Sequence, residues 1–138
     1  MLLLCAFALT CCSLLAAPPD TTGVKFVPPR PSVSIDGKVL FREYCAACHG
    51  MDAKGNGPVA DALQQHPTDL TQISTHNNGK FPDDRVMRVL RGQENIAAHG
   101  KQEMPAWAPT LYQMSSSLNL AQTQIFGLLN YLERIQAK

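Results

Sequence analysis

The sequence predicts an all-α domain, and three observations indicate this fold class. Apolar residues recur at helical spacing in three segments, no segment alternates strictly between apolar and polar residues, and the connecting stretches are rich in Gly, Pro, Asn and Asp. A chain of 138 residues with 45% hydrophobic content is long enough for one compact domain. Because short helices enclose only a modest core, we expect something other than side chains to fill its middle.

The first predicted helix spans residues 36–47, and its apolar side chains group on one side at Val39, Leu40, Phe41 and Tyr44. The second is expected to begin at Asp83 or Asp84, which are good N-cap residues, and to end at Gly92. Its apolar positions are Val86, Met87, Val89 and Leu90.

The third predicted helix opens at Asn119 with Gln122 in capping-box spacing. Its apolar stripe consists of Ile125, Leu128, Leu129, Leu132 and Ile135. Everything between the three helices is predicted to be loop.

The N-terminal segment differs sharply in composition from the rest of the chain. Residues 1–19 contain no charged side chain, and the apolar run ends in Ala16 and Ala17, which is typical of a secretory signal. Cleavage, lipid attachment at Cys12 and retention as a membrane anchor all remain open, because the apolar run is near the length that spans a bilayer. We therefore predict a signal peptide or anchor at 1–17, a proline-rich linker at 18–33 and one domain at 34–138.

The cysteine count narrows the chemistry of that domain. Three of the five cysteines lie in the leader, which leaves Cys45 and Cys48. Two cysteines this close would close only a very tight disulfide loop, and the later histidines are spaced unlike a zinc finger. No alternating β-α-β pattern surrounds them, which argues against a thioredoxin-like dithiol.

The segment Cys45-Ala-Ala-Cys48-His49 is the Cys-x-x-Cys-His haem-attachment signature, and the domain resembles a class I c-type cytochrome. The resemblance implies a small cytochrome c fold, with three main helices and long loops around one covalently bound haem c. It implies that Cys45 and Cys48 form thioethers with the haem and that His49 is an axial ligand of the iron.

Downstream residues extend the resemblance. Pro58 ends a glycine-rich loop of Gly50, Gly55 and Gly57, and the resemblance implies that its carbonyl accepts a hydrogen bond from the ligand histidine. Met104, followed by proline, is the implied second axial ligand, with His99 as its rival. Trp107 is expected over the haem edge or, alternatively, in the core with another partner.

Four further positions resemble the helix packing of that family. A glycine at position 37 would allow the last helix to cross the first closely, and Phe41 would pack beside it. Leu128 and Tyr131 occupy the corresponding positions on the last helix. Without the resemblance, all four would be ordinary core residues.

These features predict an exported monohaem electron carrier that cycles between Fe(III) and Fe(II), located in the periplasm or on the outer face of the bacterial cytoplasmic membrane. A second hypothesis is a permanently bound haem subunit of a larger oxidoreductase, and a third is a sensor or enzyme with a displaceable Met104. No nucleophile, acid/base pair or Walker loop supports catalysis by the polypeptide itself.

The net charge of the chain limits the classes of partner that it can bind. The formal net charge of +1 excludes a strongly basic surface, and nothing indicates nucleic-acid binding. The expected partners are a redox donor and acceptor, with membrane association through the N-terminus. Arg85, Arg88 and Arg91 recur every three residues and form either a local positive patch or the solvated side of a helix.

Overall fold

The computed structural model describes residues 30–94 and 106–137. Within these ranges the chain is helical and has no β-strand, which confirms the all-α fold class. The described helices are α1 (Gly37–Tyr44), α2 (Ala46–His49), α3 (Asp83–Leu90), α4 (Trp107–Met114) and α5 (Leu118–Arg134). Single 3₁₀ turns lie at Ala60–Ala62, Leu70–Gln72 and Thr75–Asn77.

The first predicted helix is present but divided in two. Asp36 caps α1 by accepting a hydrogen bond from the Lys38 N–H at 2.7 Å. At Cys45 the backbone φ widens to −116°, which ends α1, and a new helical turn, α2, begins at Ala46. The attachment signature therefore forms a helical turn of its own, placed directly after α1.

The crossing of α1 and α5 agrees with the predicted helix packing. A methyl group added at Gly37 would overlap the carbonyl oxygen of Gly127 and lie 2.7 Å from Cβ of Tyr131. The ring of Phe41 packs beside this crossing, with its centroid 5.3 Å from that of Tyr131. Gly127, which the sequence analysis did not single out, approaches the carbonyl oxygen of Ile35 in the same way.

The N-terminal ends of α3 and α5 differ in detail from the predictions. Asp83 and Asp84 lie in the first turn of α3 rather than at its cap, where their charges favour the helix dipole. The cap of α5 is Ser117, whose hydroxyl accepts from the Leu120 N–H at 3.2 Å, so Asn119 already lies inside the helix.

Helix α4 was predicted as loop and is a helix. Its Pro109 is the third helical residue and lies in the first turn. Backbone N–H groups in this turn have no intrahelical acceptor, so a proline there costs no helical hydrogen bond. The segment had been assigned to loop because it lies in a stretch between the predicted helices that is rich in Gly, Pro, Asn and Asp. With α4 included, the described helices bury one continuous core.

The described part of the predicted linker packs against this core. The Tyr44 hydroxyl donates to the carbonyl oxygen of Arg30 at 2.9 Å. The side-chain amide of Gln124, fully buried on α5, donates to the carbonyls of Ser32 and Ser34 at 2.7 and 3.0 Å. The boundary at residue 34 stays a prediction, but the chain immediately before it already belongs to the packed structure.

Candidate haem-binding site

The signature residues lie together on the turn that forms α2. The His49 N–H donates to the Cys45 carbonyl at 2.9 Å, which closes one helical turn around the two cysteines. No disulfide joins Cys45, which is buried, to Cys48, which is partly exposed. Burial, and then the neighbouring Cys48 charge, raise the pKa of the Cys45 thiol to about 12, so that this thiol is neutral at physiological pH.

The imidazole of His49 is buried, with 5% of the residue exposed, and its Nδ1 lies 3.1 Å from the carbonyl oxygen of Thr68. A carbonyl oxygen only accepts hydrogen bonds, so Nδ1 must hold the proton in this contact. The lone pair of the neutral ring is then on Nε2, which is the tautomer needed to bind a metal through that nitrogen.

The acceptor for His49 corrects one prediction. We expected the Pro58 carbonyl at this position, but the structure places the Thr68 carbonyl there, and Pro58 is exposed. The reason is that the loop around Pro58 bonds to the backbone of α2 instead: the next residue, Val59, donates its N–H to the Ala47 carbonyl at 3.1 Å. Thr68 follows the buried Pro67, but no pattern in the sequence indicates that the Thr68 carbonyl faces the histidine.

The glycine-rich loop is held against the signature by backbone hydrogen bonds. The N–H groups of Gly55 and Gly57 donate to the carbonyls of His49 and Cys48 at 2.7 and 3.0 Å. Gly55 has a φ of +86°, which favours glycine, and a methyl group at Gly57 would overlap the Ala47 carbonyl oxygen. The loop therefore depends on glycine for conformation at one position and for space at the other.

The surroundings of the signature are apolar. Cys45 belongs to the same buried cluster as Leu90, Trp107 and Leu111. Partly buried apolar side chains pack against that cluster at Leu70, Ile73 and Phe81, among others. Within residues 30–94 and 106–137, no group of three or more His, Cys, Asp or Glu side chains could hold a metal ion. Two cysteines without a disulfide and an oriented imidazole beside apolar surface fit a covalently held haem better than a zinc ion.

Comparison with known proteins agrees with this fit. Residues 35–115 match the protein family described as cytochrome c oxidase, cbb3-type, subunit III. The chain belongs to this family. It is a class I c-type cytochrome, and its cofactor is covalently bound haem c.

Two curated proteins similar to this chain are cbb3-type cytochrome c oxidase subunits named FixP. The protein from Rhizobium meliloti (strain 1021) is 36% identical over 64 residues, which cover 40% of this chain and 22% of the relative. The protein from Sinorhizobium medicae (strain WSM419) is 32% identical over 84 residues, covering 61% and 24%. The matches thus span about a quarter of the relatives' length or less. No solved structure matches this chain significantly.

The predicted distal ligand of this c-type cytochrome lies outside the described residues. Met104 and its rival His99 both fall between residues 94 and 106, so Met104 stays a prediction. Trp107 begins α4 and is buried, with its ring centroid 5.2 Å from that of Tyr44. This contact agrees with the alternative prediction that Trp107 packs in the core against another residue. Its predicted position over the haem edge stays a prediction.

The positive charge of the α3 arginines, which could form a local patch or a solvated helix face, is partly neutralised. Glu94 accepts from the Nε atoms of Arg85 and Arg88, at 2.9 and 3.1 Å. The Arg85 hydrogen bond is the main cause that holds the pKa of this carboxyl below its usual value.

Among the described helices, none is both long and apolar enough to cross a bilayer.

Proposed function

We propose that this chain is an electron-transfer haem subunit of a cbb3-type oxidase, which takes single electrons from a redox donor and passes them to a catalytic subunit. The observation on which the proposal rests is the buried His49, oriented by Thr68 on the Cys45–Cys48 turn, inside the region that matches the subunit III family. The family favours this bound subunit over the freely diffusing carrier that the sequence first suggested.

Each residue of the site has one task in this proposal. Cys45 and Cys48 tether the haem through thioethers, and His49 binds its iron through Nε2. The Thr68 carbonyl fixes the ring orientation and raises the basicity of His49 through the proton on Nδ1. When bound, the haem supplies an iron that changes between the ferric and ferrous states.

Met104 completes the axial pair in this proposal. A thioether sulfur is a soft ligand that favours ferrous iron, so His49 with Met104 would give a higher reduction potential than two histidines. With both axial positions filled by the protein, the polypeptide transfers electrons and does not bind substrate. Trp107 would support the site from its periphery.

The location follows as part of the same proposal. Covalent haem is attached outside the cytoplasm, and the uncharged residues 1–17 favour export with a signal peptide, a lipid or a retained helix. We place the haem domain on the periplasmic face of the membrane, tied to it through the N-terminal segment or through the other subunits.

The first experiment tests the site. The chain is expressed with a haem-maturation system, and we expect sharp α and β bands in the reduced spectrum that survive acid-acetone extraction. Cys48→Ser should weaken haem retention and His49→Ala should abolish stable holoprotein. His76→Ala is the matched control, because His76 is exposed on a separate turn. Colourless wild-type protein would contradict the proposal.

The second experiment tests the assembly. Affinity-tagged full-length chain is purified from membranes solubilised in mild detergent, at low and at high salt. We expect the catalytic subunit of a cbb3-type oxidase to co-purify at both salt concentrations. Recovery of a coloured but solitary protein at both would favour the free carrier, and binding of carbon monoxide by the untreated ferrous protein at neutral pH would favour a sensor.

A further inference from the structure

Gln136, the second residue after α5, binds three backbone groups at once. The Nε2 of Gln136 donates to the carbonyls of Leu70 and Leu132 at 2.8 and 2.7 Å. Its Oε1 accepts from the N–H of Ser74 at 2.8 Å. Both amide hydrogens and one acceptor site of this side chain are therefore used. Two of its three partners lie in the segment 70–74, which is more than 60 residues away in sequence.

The same segment is attached on its other side to the glycine-rich loop. The bond to this loop runs from the Leu70 N–H to the Ala53 carbonyl, at 2.8 Å. On the side of α5, the Ala137 N–H donates to the Thr71 carbonyl, also at 2.8 Å. Asp69 closes the turn internally, because its carboxylate accepts from the backbone and hydroxyl of Thr71 at 2.8 and 2.6 Å.

This segment directly continues the residue that orients the candidate iron ligand. The Thr68 carbonyl, 3.1 Å from His49 Nδ1, precedes the first carbonyl bound by Gln136 by only two residues. A 3.1 Å contact is near the long end of a good N–H···O bond, so a displacement of about 0.5 Å would remove it.

We propose that Gln136 is a positioning residue for the haem iron, which holds the Thr68 carbonyl against His49 by clamping residues 70–74 to the end of α5. The inference rests on the proposed ligation of iron by His49. It adds that the orientation of this ligand depends on a residue that follows the last helix. Without the clamp, the hydrogen bond to Nδ1 weakens and the imidazole becomes less basic. A less basic ligand stabilises ferric iron less, so the reduction potential rises.

Replacement of Gln136 by leucine tests this chain of effects. Gln136→Leu keeps a similar volume and removes all three hydrogen bonds. Gln122→Leu is the matched control, since Gln122 is an exposed glutamine on α5 itself. In the full-length holoprotein we expect Gln136→Leu to raise the ferrous-to-ferric ratio at a fixed ambient potential by about threefold to tenfold, where tenfold equals about 59 mV for one electron. Gln122→Leu is expected to leave this ratio unchanged.

NMR of the reduced protein provides a second readout that a purely structural role would not move. We expect the Nδ1 proton of His49 to exchange with solvent at least about tenfold faster in Gln136→Leu, since its acceptor is no longer held in place. Holoprotein that melts at lower temperature but keeps the wild-type potential and Nδ1–H exchange would overturn the proposal, because Gln136 would then stabilise the fold only.

A measurement on the unaltered protein keeps the inference testable if the variant does not fold. The Ser74 N–H and the Nδ1–H of His49 should become exchangeable in one local opening, with the same dependence on low denaturant concentration. Independent opening of these two groups would overturn it. A protein without covalent haem would instead contradict the proposed function, so the two failures are distinguishable by colour alone.

Discussion

The close crossing of α1 and α5 makes Gly37→Ala a sharp test of the packing. By helix propensity alone, alanine at this position should stabilise the protein by up to about 1 kcal/mol. By packing, the new methyl group would overlap the Gly127 carbonyl and lie 2.7 Å from the Tyr131 Cβ. Backbone and Cβ atoms cannot rotate away, so the helices themselves must separate.

The magnitude of this effect follows from the opposed terms. Overpacking of a well-packed contact costs about 1–3 kcal/mol, and a clash with backbone belongs at the upper end of that range. After subtraction of the propensity gain, we expect Gly37→Ala to destabilise the fold by about 2 kcal/mol. For a domain of this size that corresponds to a melting temperature lower by roughly 8–16 °C.

The assay is reversible denaturant unfolding of the holoprotein, followed by far-UV circular dichroism and haem absorbance. Lys38→Ala is a control for propensity on the same helix, since Lys38 is exposed. Gly79→Ala is a control for backbone strain, because Gly79 has a φ of +78° and no atom within 4 Å of an added methyl group. A Gly37→Ala protein as stable as the wild type, or more stable, would refute the packing argument.

Three further predictions concern the site and its surroundings. Gly57→Ala should displace the glycine-rich loop from the Ala47 carbonyl and lower both haem content and melting temperature, measured by pyridine haemochrome and calorimetry, whereas an unchanged melting temperature would contradict the contact. Met104→Ala should keep the tethered haem and lower its reduction potential, and an unchanged potential and ferric spectrum would exclude Met104 as ligand. Because Arg85 and then Arg88 depress the pKa of Glu94, its contribution to stability is complete above its ordinary value of 4.5 and is lost as the pH falls through the lower folded value. Glu94→Gln should therefore flatten the loss of stability below about pH 4.5 in acid titration, and an unaltered slope would contradict the ion pairs.

The helices with a clear apolar period and the turn that carries the Cys-x-x-Cys-His signature could be predicted from the sequence. Four residues of the predicted stripe, Ile125, Leu128, Leu129 and Leu132, are buried on α5, and the fifth, Ile135, is partly buried just past the end of this helix. Gly37 could be assigned to the crossing only through the resemblance, since a glycine alone does not reveal what approaches it. Helix α4 was missed because the stretches between the predicted helices were assigned to loop for their content of Gly, Pro, Asn and Asp. A proline in the first turn, such as Pro109, is nevertheless tolerated in a helix.

Features without a sequence signature could not be predicted, and the acceptor of the His49 proton is the main one. Every residue has a backbone carbonyl, so the choice of Thr68 over Pro58 is made by tertiary structure alone. The same holds for Gln124 and Gln136, whose polarity favours a surface position in any sequence-based assignment. Each is buried or half-buried because its amide matches backbone groups of irregular chain.

The two glutamines explain how a small helical domain can hold irregular segments in fixed positions. A neutral amide has donors and acceptors together and avoids the large desolvation cost of a buried charge, so it can bind loop backbone where no regular ladder exists. Gln124 attaches the arm at residues 32–34 to α5, and Gln136 attaches residues 70–74 to its end. The hydrogen bond to His49 therefore depends on contacts far apart in sequence and forms fully only when α5 has packed. It follows that the Cys-x-x-Cys-His turn is closed by a local hydrogen bond, from the His49 N–H to the Cys45 carbonyl, whereas the orientation of its histidine is a property of the completed fold.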